Sequence, residues 1–397
     1  MARVRSSTRS AAAERNPRQL TLYTSFEALR DGLIAGADPR RPARGLFYVV
    51  LALIGLGFLL QVSHLATTAP PSELGAQITK LCGYRLLALG GLLLAARVGP
   101  RRLEPLIPAM MGVTIILLLL VWVPGVSYAR NGSHRWLSFP IRWQPSELAR
   151  VVAVLWAARR CVQLGPHVSD AWRGALPLLA FGLFLFLLIV VEPDFGGAML
   201  LLLSYCATMW VGGVQWKHVS GGLLLIIGPA LLLGATFVGY IRERLSIFLG
   251  DSTNEQVSSA FDAIASGGWF GAGFTQGTFR TAGLQYQQSD YVFSLVGEEF
   301  GLVGMLIVVG LFGALLVYTL RLVGSLSDRF SSLVAFGLLI TVVFQAMLHM
   351  QVVTGLAPPK GMILPFLSEG GTALVSSCLA VGLALGAARE EQGGHAP

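Results

Sequence analysis

Three carboxylates stand where an ionised side chain is costly. In Ser289-Asp-Tyr-Val-Phe-Ser-Leu-Val-Gly-Glu-Glu-Phe-Gly-Leu-Val-Gly304, Asp290 opens a long apolar run, and Glu298 and Glu299 follow inside it. An acid at the centre of a bilayer costs about 3 kcal/mol even on insertion scales, so it marks chemistry, an ion path or a paired role. Asp290 is the first candidate for a general base, with an N-cap of the next helix as its plainer alternative. At about 1.5 Å per helical residue Glu298 lies about 12 Å deeper and within about 80° of the face of Asp290. Glu299 points nearly the other way, towards a neighbouring helix.

The elements that position these acids are membrane spans. The 397 residues are 54% hydrophobic and 13% charged, with a mean hydropathy of +0.66. A soluble domain carries about 25% charged residues. A bilayer needs about 20 apolar helical residues. Ten runs qualify: 46–65, 81–96, 106–124, 147–159, 174–191, 196–213, 219–239, 291–319, 332–353 and 371–388. The fold class expected is all-α, a polytopic bundle of about ten transmembrane helices. Residues 1–45 hold nine arginines against four acids and form a basic cytoplasmic tail without apolar periodicity, expected to be disordered. Alternating from there, every inside loop is basic: Arg97, Arg101 and Arg102, then Arg159, Arg160 and Arg173, then Lys217, then Arg321 and Arg329, then Arg389. Both termini are therefore expected in the cytoplasm, with 46–388 as the transmembrane domain and 389–397 as a short tail.

The same alternation gathers four polar segments outside. Segment 125–147 is basic (Arg130, Arg135, Arg142) on the face where basic residues are disfavoured, and it carries Trp136 and Trp143. Guanidinium groups there suit a phosphate or pyrophosphate; an interfacial loop meeting lipid headgroups is the other reading. Its end, Gln144-Pro-Ser-Glu147, reads as a helix start, and Glu147 pairs with Arg150 at i, i+3. Glu192-Pro-Asp-Phe-Gly-Gly197 is a tight turn in which Asp194 caps the next helix or faces a site. Residues 240–290 form a large loop rich in Gly and aromatics, suited to a re-entrant or amphipathic stretch. Segment 354–372 holds Lys360, Ser368 and Glu369 among Pro and Gly, a sign of irregular backbone lining a protein-walled cavity.

Cys82, Cys161, Cys206 and Cys378 lack metal spacing and read as small apolar fillers. No Walker or dinucleotide motif is present, so neither a nucleotide cofactor nor a nucleic-acid partner is expected.

In order along the chain these segments resemble the SEDS family (shape, elongation, division and sporulation), the FtsW/RodA/SpoVE proteins. Asn131-Gly-Ser-His-Arg-Trp136 with Gln144-Pro-Ser-Glu-Leu-Ala-Arg150, Glu192-Pro-Asp-Phe-Gly196, Ala263 to Gly273, Ser289-Asp-Tyr-Val-Phe293 with Gly297-Glu-Glu-Phe-Gly-Leu-Val-Gly304, and Thr354 to Gly371 are similar to its motifs. The resemblance implies a peptidoglycan glycosyltransferase of the bacterial inner membrane. Such an enzyme polymerises lipid II outside, beside a class B penicillin-binding protein and other divisome or elongasome membrane proteins. It also places the essential aspartate of the family on Asp290. That residue is then a general base or a ligand for a divalent cation, magnesium or manganese, with Arg135, Arg142 and Lys360 on the pyrophosphate. Glu147, Arg150, Asp194, Glu298, Ser368 and Glu369 would shape the cavity. Lys360 is similar to the FtsW-type version of the last motif. The sequence departs from the pattern at Gln285-Tyr-Gln-Gln-Ser289 and Glu369. A lipid II transporter and a non-catalytic divisome scaffold are the competing readings.

Overall fold

The computed structural model describes residues 38–393 except 124, 126, 131–132, 139–142, 193, 238, 251–253 and 280–286. Most of the tail assigned to 1–45, and the last four residues of the tail 389–397, lie outside the described residues. The helices are α1 (Arg40–Thr68), α2 (Pro71–Val98), α3 (Pro100–Leu120), α4 (Pro145–Leu164), α5 (Ala171–Val191), α6 (Phe195–Val211), α7 (Trp216–Phe237), α8 (Gly239–Leu249), α9 (Glu255–Gly267), α10 (Val292–Ser325), α11 (Arg329–Val353) and α12 (Gly371–Gly393). Each of the ten apolar runs falls on one of them. Among the described residues seven helices are long and apolar enough to cross a membrane, and Phe195–Val211 is a shorter apolar one.

Helix ends follow local chemistry more than hydropathy. α2 begins ten residues before its apolar run, because Pro71 supplies a preset φ at the first turn and Glu73 meets the positive helix end. Asp194 accepts from Gly197 N at 3.0 Å and caps α6, and Asn254 caps α9 through Gln256 N and Val257 N. Segment 240–290 is accordingly not an open loop: α8 and α9 occupy half of it. Segment 125–147 adds a two-stranded antiparallel hairpin to a bundle expected to be wholly helical, β1 (Ser127–Arg130) and β2 (Ser133–Leu137), with Tyr128 opposite Trp136.

Burial separates a core from a rim. About 72% of the apolar window is buried in α11 and in α12, against 28% or less in α2, α3 and α10, whose exposed leucines and valines face outward. The two membrane faces are distinct. On one, Arg40 Nε donates to Gln392 Oε1 at 3.0 Å, Arg101 pairs with Asp328 at 2.8 Å, and Arg329 donates to the Gly212 carbonyl at 2.7 Å. The first and last described helices thus end on one face, among the arginines that the charge rule put in the cytoplasm. On the other face, about 40 Å away along α1, the polar segments converge.

The element that organises this second face is a break in α10. Gly301 has φ +64°, a conformation that favours glycine, and it interrupts the helix. The Gly-rich stretch after α9 fills the gap. Ala272 N and Gly273 N donate to the carbonyls of Glu298 and Glu299 at 2.8 and 3.1 Å, and Leu302 N and Val303 N donate to the carbonyls of Gly268 and Trp269 at 2.9 and 3.1 Å. A Cβ on Gly301 would stand 2.5–2.6 Å from the backbone of Gly271 and Trp269. Gly301→Ala should therefore destabilise the protein by about 2–5 kcal/mol through strain and overpacking. Gly310→Ala, at a helical glycine with open space around it, should be neutral or slightly stabilising. Thermal unfolding of both variants in detergent checks this, and equal melting of Gly301→Ala and wild type would show that the break is not required.

Candidate functional site

Asp290 sits in the turn 287–290, just before α10 begins at Val292, so helical spacing does not carry it onto the face of Glu298. Glu298 instead turns back towards the segment that precedes Asp290. Its Oε1 accepts from Phe279 N at 2.9 Å and from Thr278 N, and its Oε2 accepts from Gln287 Nε2 at 3.1 Å. A buried carboxyl with that many donors has its acceptor capacity met inside the protein. Glu299 accepts from Ser63 Oγ of α1 at 2.5 Å, the neighbouring helix that its direction called for. The two acids inside the span are anchors, and Asp290 is left half-buried at the surface.

Main-chain atoms next to Asp290 are held from three sides. Gln61 of α1, buried, donates to the carbonyls of Gln288 and Leu367 at 2.9 and 3.0 Å. Ser368 Oγ donates to the Ser289 carbonyl at 2.6 Å and accepts from Leu364 N at 2.8 Å. Glu369 N donates to the Gln288 carbonyl at 2.8 Å. The carboxyl of Glu369 itself is exposed and acts on Arg85 of α2. The carboxylate of Asp290 packs on Gly361, where a Cβ would come within 2.9 Å of Oδ2. Gly361 thus sets Asp290 against the loop that carries Lys360.

Lys360 reaches across to the start of α6. Its Nζ lies 5.6 Å from the centre of the Phe195 ring and against Gly196, so closely that a Cβ there would overlap the ammonium. Asp194 attracts that charge, while Arg244, Arg135 and Arg150 repel it. Burial lowers the Lys360 pKa to about 8. Arg244 of α8 donates to the carbonyl of Pro359, next to Lys360. Arg135 of β2 donates through Nε to the carbonyl of Glu192 at 3.2 Å. The Glu192 carboxyl is buried, which pushes it up to about 8; Asp194 adds to the rise and Arg135 opposes it. Asp194 Oδ2 also takes Gln144 Nε2 at 2.9 Å and Ser146 Oγ at 3.4 Å, tying the α5–α6 turn to the start of α4.

Beneath this layer Glu147 and Arg150 form the ion pair that their spacing predicts. Arg150 donates to Gln345 Oε1 at 3.0 Å, Gln345 donates to the Ile363 carbonyl at 3.1 Å, and His349 Nδ1 lies 2.6 Å from the Met362 carbonyl. Two core helices thereby hold the irregular loop that carries Lys360. Of the residues singled out from sequence, Asp290, Lys360, Asp194, Arg135, Glu147, Arg150, Ser368 and Glu369 join one contiguous network, and Glu298 supports it from below. Arg142 lies outside the described residues, as does Gln285. Sequence reasoning missed Gln61, Glu192, Arg244, Gln287 and Gln345. An intramembrane polar residue was the available signal for Gln61 and Gln345.

A family model described as cell cycle protein, FtsW/RodA/SpoVE, matches residues 44–393. The chain belongs to the FtsW/RodA/SpoVE family. Relatives of the chain include proteins called probable peptidoglycan glycosyltransferase FtsW. That of Thioalkalivibrio sulfidiphilus is 34% identical, covering 87% of this chain and 89% of the relative. That of Nitrosococcus halophilus is 32% identical, covering 89% and 93%. Among solved structures, a chain from work on structural coordination of polymerization and crosslinking by a peptidoglycan synthase complex aligns with TM-score 0.73 at 28% identity, over 87% of this chain and 97% of the other. The Thermus thermophilus rod shape determining protein RodA aligns with TM-score 0.60 at 26% identity, over 87% and 96%. As a member of the FtsW/RodA/SpoVE family, the chain is a multi-pass protein of the bacterial cytoplasmic membrane.

Gln61→Leu tests how this site is held. It leaves the carbonyls of Gln288 and Leu367 without their buried donor, at a cost of about 1–3 kcal/mol each. Lower thermal stability and faster amide exchange over 287–290 are expected, and unchanged exchange there would sink the assignment of Gln61 as the anchor.

Proposed function

We propose that the chain is a peptidoglycan glycosyltransferase that polymerises lipid II on the outer face of the cytoplasmic membrane. The observation that carries this reading is that the Asp290 carboxylate packs on Gly361, in the loop whose Lys360 lies within reach of the charges of Arg244, Arg135 and Arg150. The 4-hydroxyl of one sugar attacks the anomeric carbon of another, a C–O bond forms, and the bond to polyprenyl pyrophosphate breaks. Asp290 takes the hydroxyl proton. The departing pyrophosphate leaves as an anion and needs charge neutralisation more than a proton, so one carboxylate suffices where a glycosidase uses two. Lys360, Arg135 and Arg244 supply that neutralisation by hydrogen-bonded cations, and Arg142 of the same basic segment is assigned with them. Glu147, Arg150, Asp194, Glu298, Ser368 and Glu369 position the walls.

The other reading of Asp290 makes it a ligand for magnesium or manganese. Among the described residues no group of three or more His, Cys, Asp or Glu side chains gathers; such an ion would be held by Asp290 together with the pyrophosphate of the substrate, and would neutralise charge on that leaving group. The partner proposed is a class B penicillin-binding protein, on the strength of the resemblance to a chain of a peptidoglycan synthase complex. Service in division follows from the FtsW names of the relatives and from Lys360.

Asp290→Ala and Asp290→Asn, assayed for glycan chains from purified lipid II with the cognate transpeptidase, should each lose at least about a hundredfold in rate. Full polymerisation by both would end the catalytic assignment, and lipid II translocation without polymer would favour a transporter.

The ammonium of Lys360 supplies a pH signature. Its pKa, lowered to about 8, keeps it charged below that pH and neutral above it. Activity should therefore fall as pH rises through about 8, well before an ordinary lysine titrates near 10.4. Lys360→Arg should keep activity on the alkaline side, because a guanidinium stays charged. An alkaline limb unmoved in Lys360→Arg would remove Lys360 from the pyrophosphate site.

A further inference from the structure

The cytoplasmic face carries a second cationic site that the transfer reaction does not use. Between the start of α1 and the end of α12 lies an open recess of about 350 Å³ lined by Arg40, Arg44, Arg389, Phe47, Tyr48 and Leu385 with their neighbours. Three arginines share it, and among the described residues no acid lines it. The nearest acids on the packed elements are turned to other partners. Asp38 Oδ1 accepts from Arg40 N at 2.9 Å, Glu390 Oε2 accepts from Arg101 N at 3.3 Å, and Glu391 accepts from Ser327 Oγ. Arg40 and Arg389 are steadied by Gln392 and by the Arg97 carbonyl, whereas Arg44 has no hydrogen bond or ion pair among the described residues. Like charges gathered at one corner repel unless an anion joins them.

Position decides the kind of anion. Arg40 and Arg44 immediately precede the apolar run 46–65, and Arg389 follows the run 371–388. The arginines therefore stand at headgroup level. Phe47, Leu385 and Ala388 form an apolar wall below them, and Tyr48, 65% exposed, lies at the interface where amphipathic rings settle. A ligand that fits carries a phosphate above and an alkyl chain below. Basic pockets between helices on the cytoplasmic side suit acidic phospholipid headgroups. We propose that this recess is a binding site for an acidic phospholipid of the inner leaflet, with Arg40, Arg44 and Arg389 around its phosphate and the α1–α12 seam along its acyl chain. The proposal stands apart from the transferase reading, since none of these residues touches the outer site.

The test uses the full chain in detergent, titrated with phosphatidylglycerol and read by native mass spectrometry as retained lipid adducts. Wild type should retain phosphatidylglycerol in preference to phosphatidylcholine. The triple change Arg40→Gln, Arg44→Gln and Arg389→Gln should weaken that retention by roughly a hundredfold, from the contribution of three arginines near an anionic surface. A control triple, Arg41→Gln, Arg102→Gln and Arg173→Gln, removes the same charge from the same face outside the recess and should bind like wild type. Equal loss in both triples, or no preference for phosphatidylglycerol in wild type, would overturn the site in favour of diffuse attraction. Displacement of the lipid by inorganic phosphate at matching concentration would overturn the lipid as its source.

Discussion

The outer half of the molecule depends on one exchange of backbone hydrogen bonds at the break in α10. Once Gly301 leaves helical geometry, the carbonyls of Glu298 and Glu299 and the amides of Leu302 and Val303 lose helical partners deep in the protein. Water is scarce there, and an unpaired backbone group in such a place costs several kcal/mol. The stretch 268–273 offers two amides and two carbonyls in return, as a strand would, and only glycines allow the approach: Gly267 and Gly271 pack directly on the carbonyls of Gly297 and Glu299. Everything between the break and Asp290 inherits its position. The Glu298 side chain then holds the amides at 278–279 and the amide group of Gln287, and the Glu299 side chain holds α1. Two acids that are expensive inside a span are thus spent on fixing the segment that leads to the third.

The charge pattern of the site follows from the same economy of partners. Arg244, Arg135 and Arg150 act unfavourably on Lys360, and Arg150 is ion-paired with Glu147. Glu192, buried beside Arg135 and Asp194, is held up near pH 8 and so is largely uncharged at neutral pH. Its proton keeps a would-be counter-ion from quenching the cationic nest. The excess positive potential sits on a backbone clamped by Gln345, His349 and Ser368, so it does not relax by moving the loop. Pre-set cations of this kind stabilise charge that develops on a leaving group without reorganising at the moment of reaction.

Much of this was legible in the residues. Ten apolar runs fall on helices, the basic loops mark one face, and the Glu147–Arg150 pair follows from i, i+3 spacing. Asp290, Lys360 and Asp194 were found because polar groups at a lipid boundary need a reason. What stayed hidden depends on contacts between distant segments. Helical periodicity put Glu298 on the face of Asp290, but the helix starts at Val292, so the phase does not extend to Asp290. Gly301 in Glu-Glu-Phe-Gly-Leu looked like any glycine of a span, since only the approach of 268–273 makes its positive φ necessary. The hairpin at 127–137 did carry a local signal, Asn131-Gly132 between short polar runs, which hydropathy outweighed. Gln287 and Gln288, which read as departures from the family pattern, have work to do here as a donor to Glu298 and as the acceptor for Gln61.

Arginine is used on both faces of the molecule, and the neighbouring acids tell the uses apart. At the outer site Arg150 is paired with Glu147 and Arg135 rests on a main-chain carbonyl, so each guanidinium is oriented before any ligand arrives. At the cytoplasmic loops Arg101 is committed to Asp328 and Arg329 to the Gly212 carbonyl, which ties α3, α6 and α11 together. The corner between α1 and α12 fits neither case, for its acids face away and its arginines face a lipid-level recess. The positive-inside rule explains why arginine is present on that face at all. It does not explain why three should share one recess that no described carboxylate lines, which an anion supplied by the bilayer would.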